Sequence, residues 1–344
     1  MEIDFNTDLA NLNTFRMQVK AACTAKYYSV EELEELSSRE DLPRPFLHIG
    51  GGSNLLFTKD FPGTVLRSRI CFIQSFDSDK GATVRVGAGV PWDDFCEWCA
   101  NRDLWGPENL SMIPGETGAA AVQNIGAYGR EIADIISTVE CYDLQDRKMV
   151  AFRKDQCGYG YRTSFFKTGG KGRYIVTAVS FDLKKDYSPV LDYGNVKELI
   201  ISKCGRFVVF ENGLTPSLVR KAIRKIREEK LPDVKQIGSA GSYFCNPYVS
   251  QKCYENIVSM GYDKVPHFVM EDGSVKIPAA WLIDKCGWKG RVESNAGVWE
   301  KQPLVLVNVT GKATPQDVLN LAAMVADSVK EKFGIALSPE VEII

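Results

Sequence analysis

The chain has 344 residues, with 42 basic and 44 acidic side chains and a formal net charge of −2. Its length predicts two or three domains with sizeable cores, and the near-neutral balance excludes a global basic footprint for nucleic acid and a polybasic membrane anchor. No apolar run reaches bilayer-spanning length, and the start Met1-Glu2-Ile3-Asp4-Phe5-Asn6 is acidic where a signal peptide is basic and then apolar. The ten cysteines show no disulfide-framework spacing, so a cytoplasmic protein with reduced thiols is expected.

In chain order, a polar arm carrying Leu12-Asn13-Thr14-Phe15 precedes Ser29-Val30-Glu31-Glu32, whose capping-box spacing predicts a short helix to about Leu36. Phe46-Leu47-His48-Ile49, the loop Gly50-Gly51-Gly52-Ser53-Asn54 and Leu55-Leu56-Phe57 read as strand, loop, strand, with the bare loop free to fold over a phosphate. The loop lacks the spacing and the long following helix of a Rossmann site, which is disfavoured. His48, one of two histidines, reads as a strand residue in preference to a catalyst or a covalent flavin ligand. Residues 82–86 predict a strand, and a helix from Pro91 is expected to end near Gly106. Trp92, Phe95, Cys96 and Cys99 lie at helical spacing within it. Cys96 and Cys99 form a lone CxxC pair without a second pair or a nearby histidine, so core positions are expected and no metal site is.

The stretch from Ser111 to Gly129 holds four glycines and four alanines around Pro114, Asn124 and Tyr128. A ligand can lie almost against such a main chain, and its N–H groups can form a nest for an anion such as a pyrophosphate. The alternative is a tight surface loop followed by a small-residue helix packed on a sheet.

Residues 138–144 and 174–181 predict strands. Between them, Gly158-Tyr159-Gly160-Tyr161-Arg162 sets an arginine among aromatic residues. Arg162 is either a desolvated fork for a carboxylate or phosphate, or a guanidinium stacked on tyrosine for packing. Residues 189–195 read as an exposed turn with Tyr193 at its tip, a ring able to close over a ligand. Thr215-Pro216 starts a helix to about Lys230, with Leu218, Ala222 and Ile226 on one face and Arg220, Lys221, Arg224, Lys225 and Arg227 on the others, a basic surface expected to be solvated. Ser242 lies in Gly238 to Pro247, where it is held in a tight, partly dry loop or is a simple turn serine; the GxSxG pattern of a triad nucleophile is absent. A helix at 279–286 stops at Gly287, a strand follows at 304–309, and Thr314-Pro315-Gln316-Asp317 starts a last helix closed by Gly334. The acidic tail places Glu340 just after Pro339.

Several of these pieces together resemble one family, the flavin-dependent UDP-N-acetylenolpyruvoylglucosamine reductases of peptidoglycan synthesis (the MurB family), in its subgroup with a tyrosine loop. The pieces are Asn13-Thr14-Phe15, Gly50-Gly51-Gly52-Ser53-Asn54, Ile113-Pro114-Gly115 with Gln123-Asn124-Ile125-Gly126-Ala127-Tyr128-Gly129, Tyr161-Arg162 with Ser164, Tyr193-Gly194, Lys230-Leu231-Pro232, Gly241-Ser242 with Asn246-Pro247, and Pro339-Glu340-Val341. They keep the family's order along nearly the whole chain. The resemblance implies an α+β protein, with a two-subdomain FAD-binding fold of the vanillyl-alcohol-oxidase/PCMH type plus a C-terminal αβ substrate-binding domain. The expected divisions are 1–70, joined by the tail 335–344, then 71–214, and 215–334. It implies noncovalent FAD held by Gly50, Gly51, Gly52, Ser53, Asn54, Pro114, Gly115, Gly118, Asn124, Gly126, Ala127 and Tyr128, with NADPH as hydride donor. Arg162 and Glu340 would flank the enolpyruvyl group, and Ser242 would be the proton donor. Tyr193, Lys230 and Asn246 would hold the UDP and diphosphate end, with a further pocket contact from Gln302. Partners are then small molecules only, and the protein a monomer. The chain departs from many members at Trp299, where histidine is common, and at Cys245 beside the serine.

Those residue types suit the chemistry. Reducing an enol ether that carries a carboxylate takes a hydride at one carbon and a proton at the next, and flavin relays hydride from NADPH. A fixed arginine stabilises the charge developing in the carboxylate, position compensates for the poor acidity of a serine, and an unpaired carboxylate at Glu340 would repel the intermediate unless protonated or hydrogen-bonded. Two other readings are an oxygen-reoxidised oxidase of small alcohols on the same flavin fold, and a nucleotide-sugar sensor without flavin.

Overall fold

The computed structural model describes residues 1–186, 189–205 and 213–344. The chain forms two compact units, one of Met1–Thr7, Ala21–Gly51 and Pro62–Arg227, the other of Asp8–Lys20, Gly52–Phe61 and Glu228–Ile344.

The first unit is built on two sheets. One runs in the order Glu2–Asp8, Lys20–Tyr27, Phe61–Ser68, Phe46–Ile49, with its last pair parallel. The other is antiparallel, in the order Lys148–Arg153, Ile136–Asp143, Tyr174–Lys184, Gly81–Gly87, Ile73–Ser78. Tyr174–Lys184 is buried over most of its length because its alternating side chains enter two cores. Val176, Val179 and Phe181 pack under Trp92 and Phe95 of the helix Trp92–Ala100, and Ile175 joins Leu33 and Leu36 of the helix Val30–Ser38. The Phe95 and Phe181 rings stack at 4.9 Å, and Cys96 and Cys99 are buried as expected. Ser29 caps Val30–Ser38 by accepting the Glu32 N–H at 3.2 Å.

The helix that begins after Pro91 ends at Ala100, short of the expected Gly106. Asp103 adopts φ +53 and the Leu104 N–H turns back to the Cys99 carbonyl at 3.1 Å, so the backbone leaves the helical path. The helices Val196–Cys204 and Pro216–Lys230 share a small core with Trp105 and Leu191.

The second unit holds the antiparallel sheet Gly238–Ser242, Val305–Asn308, Ala296–Val298, Val292–Glu293 and a smaller one, Tyr248–Val249, Val275–Lys276, Phe268–Val269. The helix Pro315–Phe333 buries Val318, Leu321, Ala322, Val325, Val329 and Phe333, a 3.6-residue stripe, between a Thr314/Asp317 capping box and Gly334 at φ +70. Ser242, expected in a loop, closes a strand: it opposes Val305, across a register shift that follows Ser239. Gly241 takes φ +72 within that shift.

Candidate active site

In the first unit the glycine-rich stretch folds as an extended lead-in, the helix Thr117–Gln123, and a hairpin pairing Gly126–Ala127 with Arg130–Glu131. The small-residue helix packs on the sheet, as the second reading of the sequence expected. The lead-in is pinned to the preceding chain: Gly115 O accepts the Trp92 N–H at 3.0 Å, Thr117 N–H donates to Val90 O at 2.9 Å, and Gly118 N–H to Ala88 O at 3.0 Å. Pro114 is exposed.

The loop Gly50–Gly51 faces this stretch backbone to backbone. A Cβ on Gly51 would sit 3.2 Å from Gly115 Cα, and one on Gly50 would meet Ala119 Cβ at 2.8 Å. Bare main chain from two loops therefore forms a cradle that side chains would fill, and it fits the diphosphate of a flavin dinucleotide. Glu116 anchors the cradle, with Arg67 at 3.2 Å and Arg69 at 3.6 Å; burial pushes its carboxyl up, and the two arginines oppose that. Asn124, fully buried at φ +48, donates to Glu131 Oε2 and to Gly160 O, both at 2.8 Å, and its side-chain oxygen accepts the Ala133 N–H at 3.2 Å. That side chain ties the glycine-rich stretch to the turn that carries Arg162.

Arg162 sits at φ +55 in a turn closed by two 3.1 Å bonds between Gly160 and Thr163. Its Nη2 donates to Gly126 O at 2.7 Å, and a Cβ on Gly126 would lie 2.8 Å from Nη1. Gly126 is thus the residue that lets the guanidinium lie on the glycine-rich stretch. The same guanidinium lies 5.3 Å from the Tyr161 ring centroid, so the stacked and the fork readings are compatible. Tyr193 is partly exposed and its ring meets Tyr128 edge-on at 6.5 Å.

The basic face of the helix Pro216–Lys230 is not wholly solvated, contrary to expectation. Arg220 is 5% exposed and forms a bidentate pair with Asp93, because an acidic side chain in the first turn of Trp92–Ala100 meets it. Arg227 bonds the Tyr128 side chain, and its Nε is buried without a hydrogen-bond partner among the described residues. Burial lowers its pKa, Arg162 pulls the same way, and Tyr128 and Asp93 oppose it. Asp93 and Glu116 escaped the sequence reading, and Arg227 reads there only as one of the solvated charges, since nothing in their local pattern separates them from surface charges.

In the second unit the tail brings distant residues together. Glu340 N–H donates to Tyr243 O at 2.7 Å, Cys245 N–H to Ser338 O at 2.9 Å, and Asn54 Nδ2 to Glu340 O at 3.2 Å. Glu342–Ile343 then pairs in parallel with Leu55–Leu56. Ser242, Asn54 and Glu340 therefore converge on one corner, with Ser53 and Gly52 just before Asn54. Gly52 O accepts the Thr14 N–H at 3.1 Å, which gives the Asn13-Thr14-Phe15 arm its place. Lys230 is exposed, and its carbonyl accepts the Trp299 indole N–H at 2.9 Å, so Trp299 holds the helix end. Gln302 lies in the turn after it, its carbonyl accepting the Val305 N–H at 3.0 Å. Asn246 Oδ1 accepts the Ala279 N–H at 2.9 Å at the start of Ala279–Lys285.

Among the described residues no helix is long and apolar enough to cross a membrane. Residues 24–152 match the family described as FAD binding domain, and with the glycine cradle they define a flavin-dependent oxidoreductase. Residues 232–344 match the UDP-N-acetylenolpyruvoylglucosamine reductase, C-terminal domain. The UDP-N-acetylenolpyruvoylglucosamine reductase of Bacteroides fragilis strain YCH46 is 47% identical over 337 residues, 98% of each chain. That of Porphyromonas gingivalis strain ATCC 33277 is 38% identical over 348 residues, 100% of each. The crystal structure of the Thermus caldophilus UDP-N-acetylenolpyruvylglucosamine reductase, 23% identical, shares the fold with a TM-score of 0.65 over 99% of this chain and 98% of that one. The chain belongs to the UDP-N-acetylenolpyruvoylglucosamine reductase family.

Proposed function

We propose that the chain reduces the enolpyruvyl ether of UDP-N-acetylglucosamine enolpyruvate to UDP-N-acetylmuramate, with NADPH as donor, in peptidoglycan precursor synthesis. In this reading it is a cytoplasmic monomer; residues 1–70 with the tail 335–344, and residues 71–214, hold the flavin, and 215–334 cover the nucleotide sugar. The cradle residues Gly50, Gly51 and Gly115 would hold noncovalent FAD, which when bound supplies the hydride, taken from NADPH, to the methylene carbon of the ether.

This chain's side chains do the rest. Arg162, held by Gly126 O, presents its guanidinium to the substrate carboxylate and stabilises the charge that develops there as the hydride arrives. Ser242 holds a proton on Oγ and delivers it to the carbon next to the carboxylate; the strongly basic intermediate and a fixed position offset the weak acidity of the hydroxyl. Glu340, as a hydrogen-bonded carboxyl, steadies the same group. Tyr193, Lys230 and Asn246 bind the UDP and diphosphate end, with a further substrate contact from Gln302.

The observation that supports these roles most is the 2.7 Å bond from Glu340 N–H to Tyr243 O, which seats Glu340 beside the strand that ends in Ser242. The test is an anaerobic visible spectrum of the purified protein, first with NADPH and then with the enolpyruvyl UDP-sugar. Bleaching of a flavin band, followed by its return on sugar addition, is the expected result. Bleaching that only oxygen reverses contradicts it in favour of an oxidase.

A further inference from the structure

Asn109 is fully buried, and its side-chain amide donates to two carbonyls, Tyr128 O at 2.7 Å and Val190 O at 2.8 Å. The first belongs to the flavin stretch, the second to the segment that leads into Tyr193. Oδ1 accepts no hydrogen bond among the described residues. Turning the amide over would press its oxygen against two carbonyl oxygens, so the two donor contacts alone set its orientation.

The segment lies closely on the flavin stretch. A Cβ on Gly129 would sit 2.8 Å from Val190 Cγ1, and one on Gly194 would sit 3.2 Å from the Tyr128 ring. Leu191 and Val196 are buried in the core shared with Trp105 and Ile223. Apolar anchors therefore keep the segment folded, while the polar tie sets where its backbone stands relative to Tyr128.

We propose that Asn109 is a positioning residue for nucleotide-sugar binding, its amide latching the Tyr193 loop to the flavin stretch without touching the sugar. The inference rests on the reading of Tyr193 as a substrate-binding residue. Buried, with both donors satisfied by main-chain carbonyls, Asn109 acts regardless of the side chains at 128 and 190, so it fixes the loop itself.

Asn109→Asp tests it, because the isosteric carboxyl keeps the packing and replaces both donors with acceptors. The KM for the enolpyruvyl UDP-sugar should rise tenfold or more, with flavin content and the rate of flavin reduction by NADPH within about twofold of wild type. Asn109→Ser, which keeps one donor, should fall between. Lowering the pH should bring the KM of the Asp variant back toward wild type, since a protonated carboxyl regains one donor and burial raises its pKa; a packing role alone would give no such pH profile. An unchanged KM in both variants, or loss of flavin binding in both, overturns the proposal. Tyr193→Ala is measured alongside. If it raises the KM and the Asn109 variants do not, only the role of Asn109 falls; if it leaves the KM unchanged, the reading of the loop falls and the latch with it.

Discussion

Asp93→Ala strips Arg220 of its bidentate partner inside the first unit. Arg220 is 5% exposed, with Nη2 3.1 Å from Asp93 Oδ2 and Nη1 in closer contact with Oδ1. The carboxylate also faces Arg224 at 3.6 Å and accepts the Met112 N–H at 2.5 Å, at the entrance to the glycine-rich stretch. Burial alone would raise its pKa, but Arg220 and the Met112 N–H hold it below the ordinary value. Removing one partner of a buried pair costs about 3–5 kcal/mol. Asp93 is 30% exposed and Glu97 remains 3.8 Å from Arg220, which sets the expected loss near the lower end, about 3 kcal/mol. At about 2–4 °C per kcal/mol for a unit of this size, Tm should fall by roughly 6–12 °C. The double variant Asp93→Leu with Arg220→Met strands no charge and should recover most of that. Thermal unfolding, followed by flavin and tryptophan fluorescence at saturating FAD, reads both. A single variant within about 1 kcal/mol of wild type, or a double variant less stable than the single one, would refute the reasoning.

Gly126→Ala sets a methyl 2.8 Å from Arg162 Nη1 and should cut the rate of sugar-driven flavin reoxidation by about 10–100-fold, with NADPH-driven reduction little changed; stopped-flow half-reactions measure both. Trp299→Phe removes the indole bond to Lys230 O and should raise the KM for the UDP-sugar severalfold while leaving kcat near wild type, checked by steady-state kinetics. Burial, with a smaller push from Arg67, depresses the His48 imidazole to about 4 from its ordinary 6.5. The unfolded chain then takes up the proton first, so stability is intact above about pH 6.5 and falls between there and about pH 4. The loss by pH 4.5 should be about 2–3 kcal/mol. Urea unfolding at pH 7 and 4.5 should show that loss in wild type and a flatter profile in His48→Gln.

What was legible in the chain is what short-range chemistry writes there. The capping pairs Ser29/Glu32 and Thr314/Asp317, the start at Thr215-Pro216 and the stop at Gly334 all follow from local hydrogen bonds and backbone preference, and each lies where expected. The glycine-rich stretch declared itself because bare backbone serves close approach. What stayed hidden depends on distant partners. Arg220 reads as a solvated charge until Asp93, far away in sequence, meets it. Ser242 reads as a turn serine until Val305 pairs with it, and the tail reads as unremarkable until Leu55–Leu56 takes up Glu342–Ile343. Asn109 carries no local signal, because both of its acceptors are main-chain carbonyls in other segments.

The measurement that bears most directly on the reductase reading is the pair of half-reactions in Ser242→Ala, followed anaerobically through the flavin band. Reduction by NADPH should proceed at nearly the wild-type rate, and reoxidation by the enolpyruvyl UDP-sugar should be slowed by about 10²–10⁴-fold, the range of a lost general acid. Equal slowing of both halves, or reoxidation at the wild-type rate, would contradict the assignment of Ser242 as the proton donor.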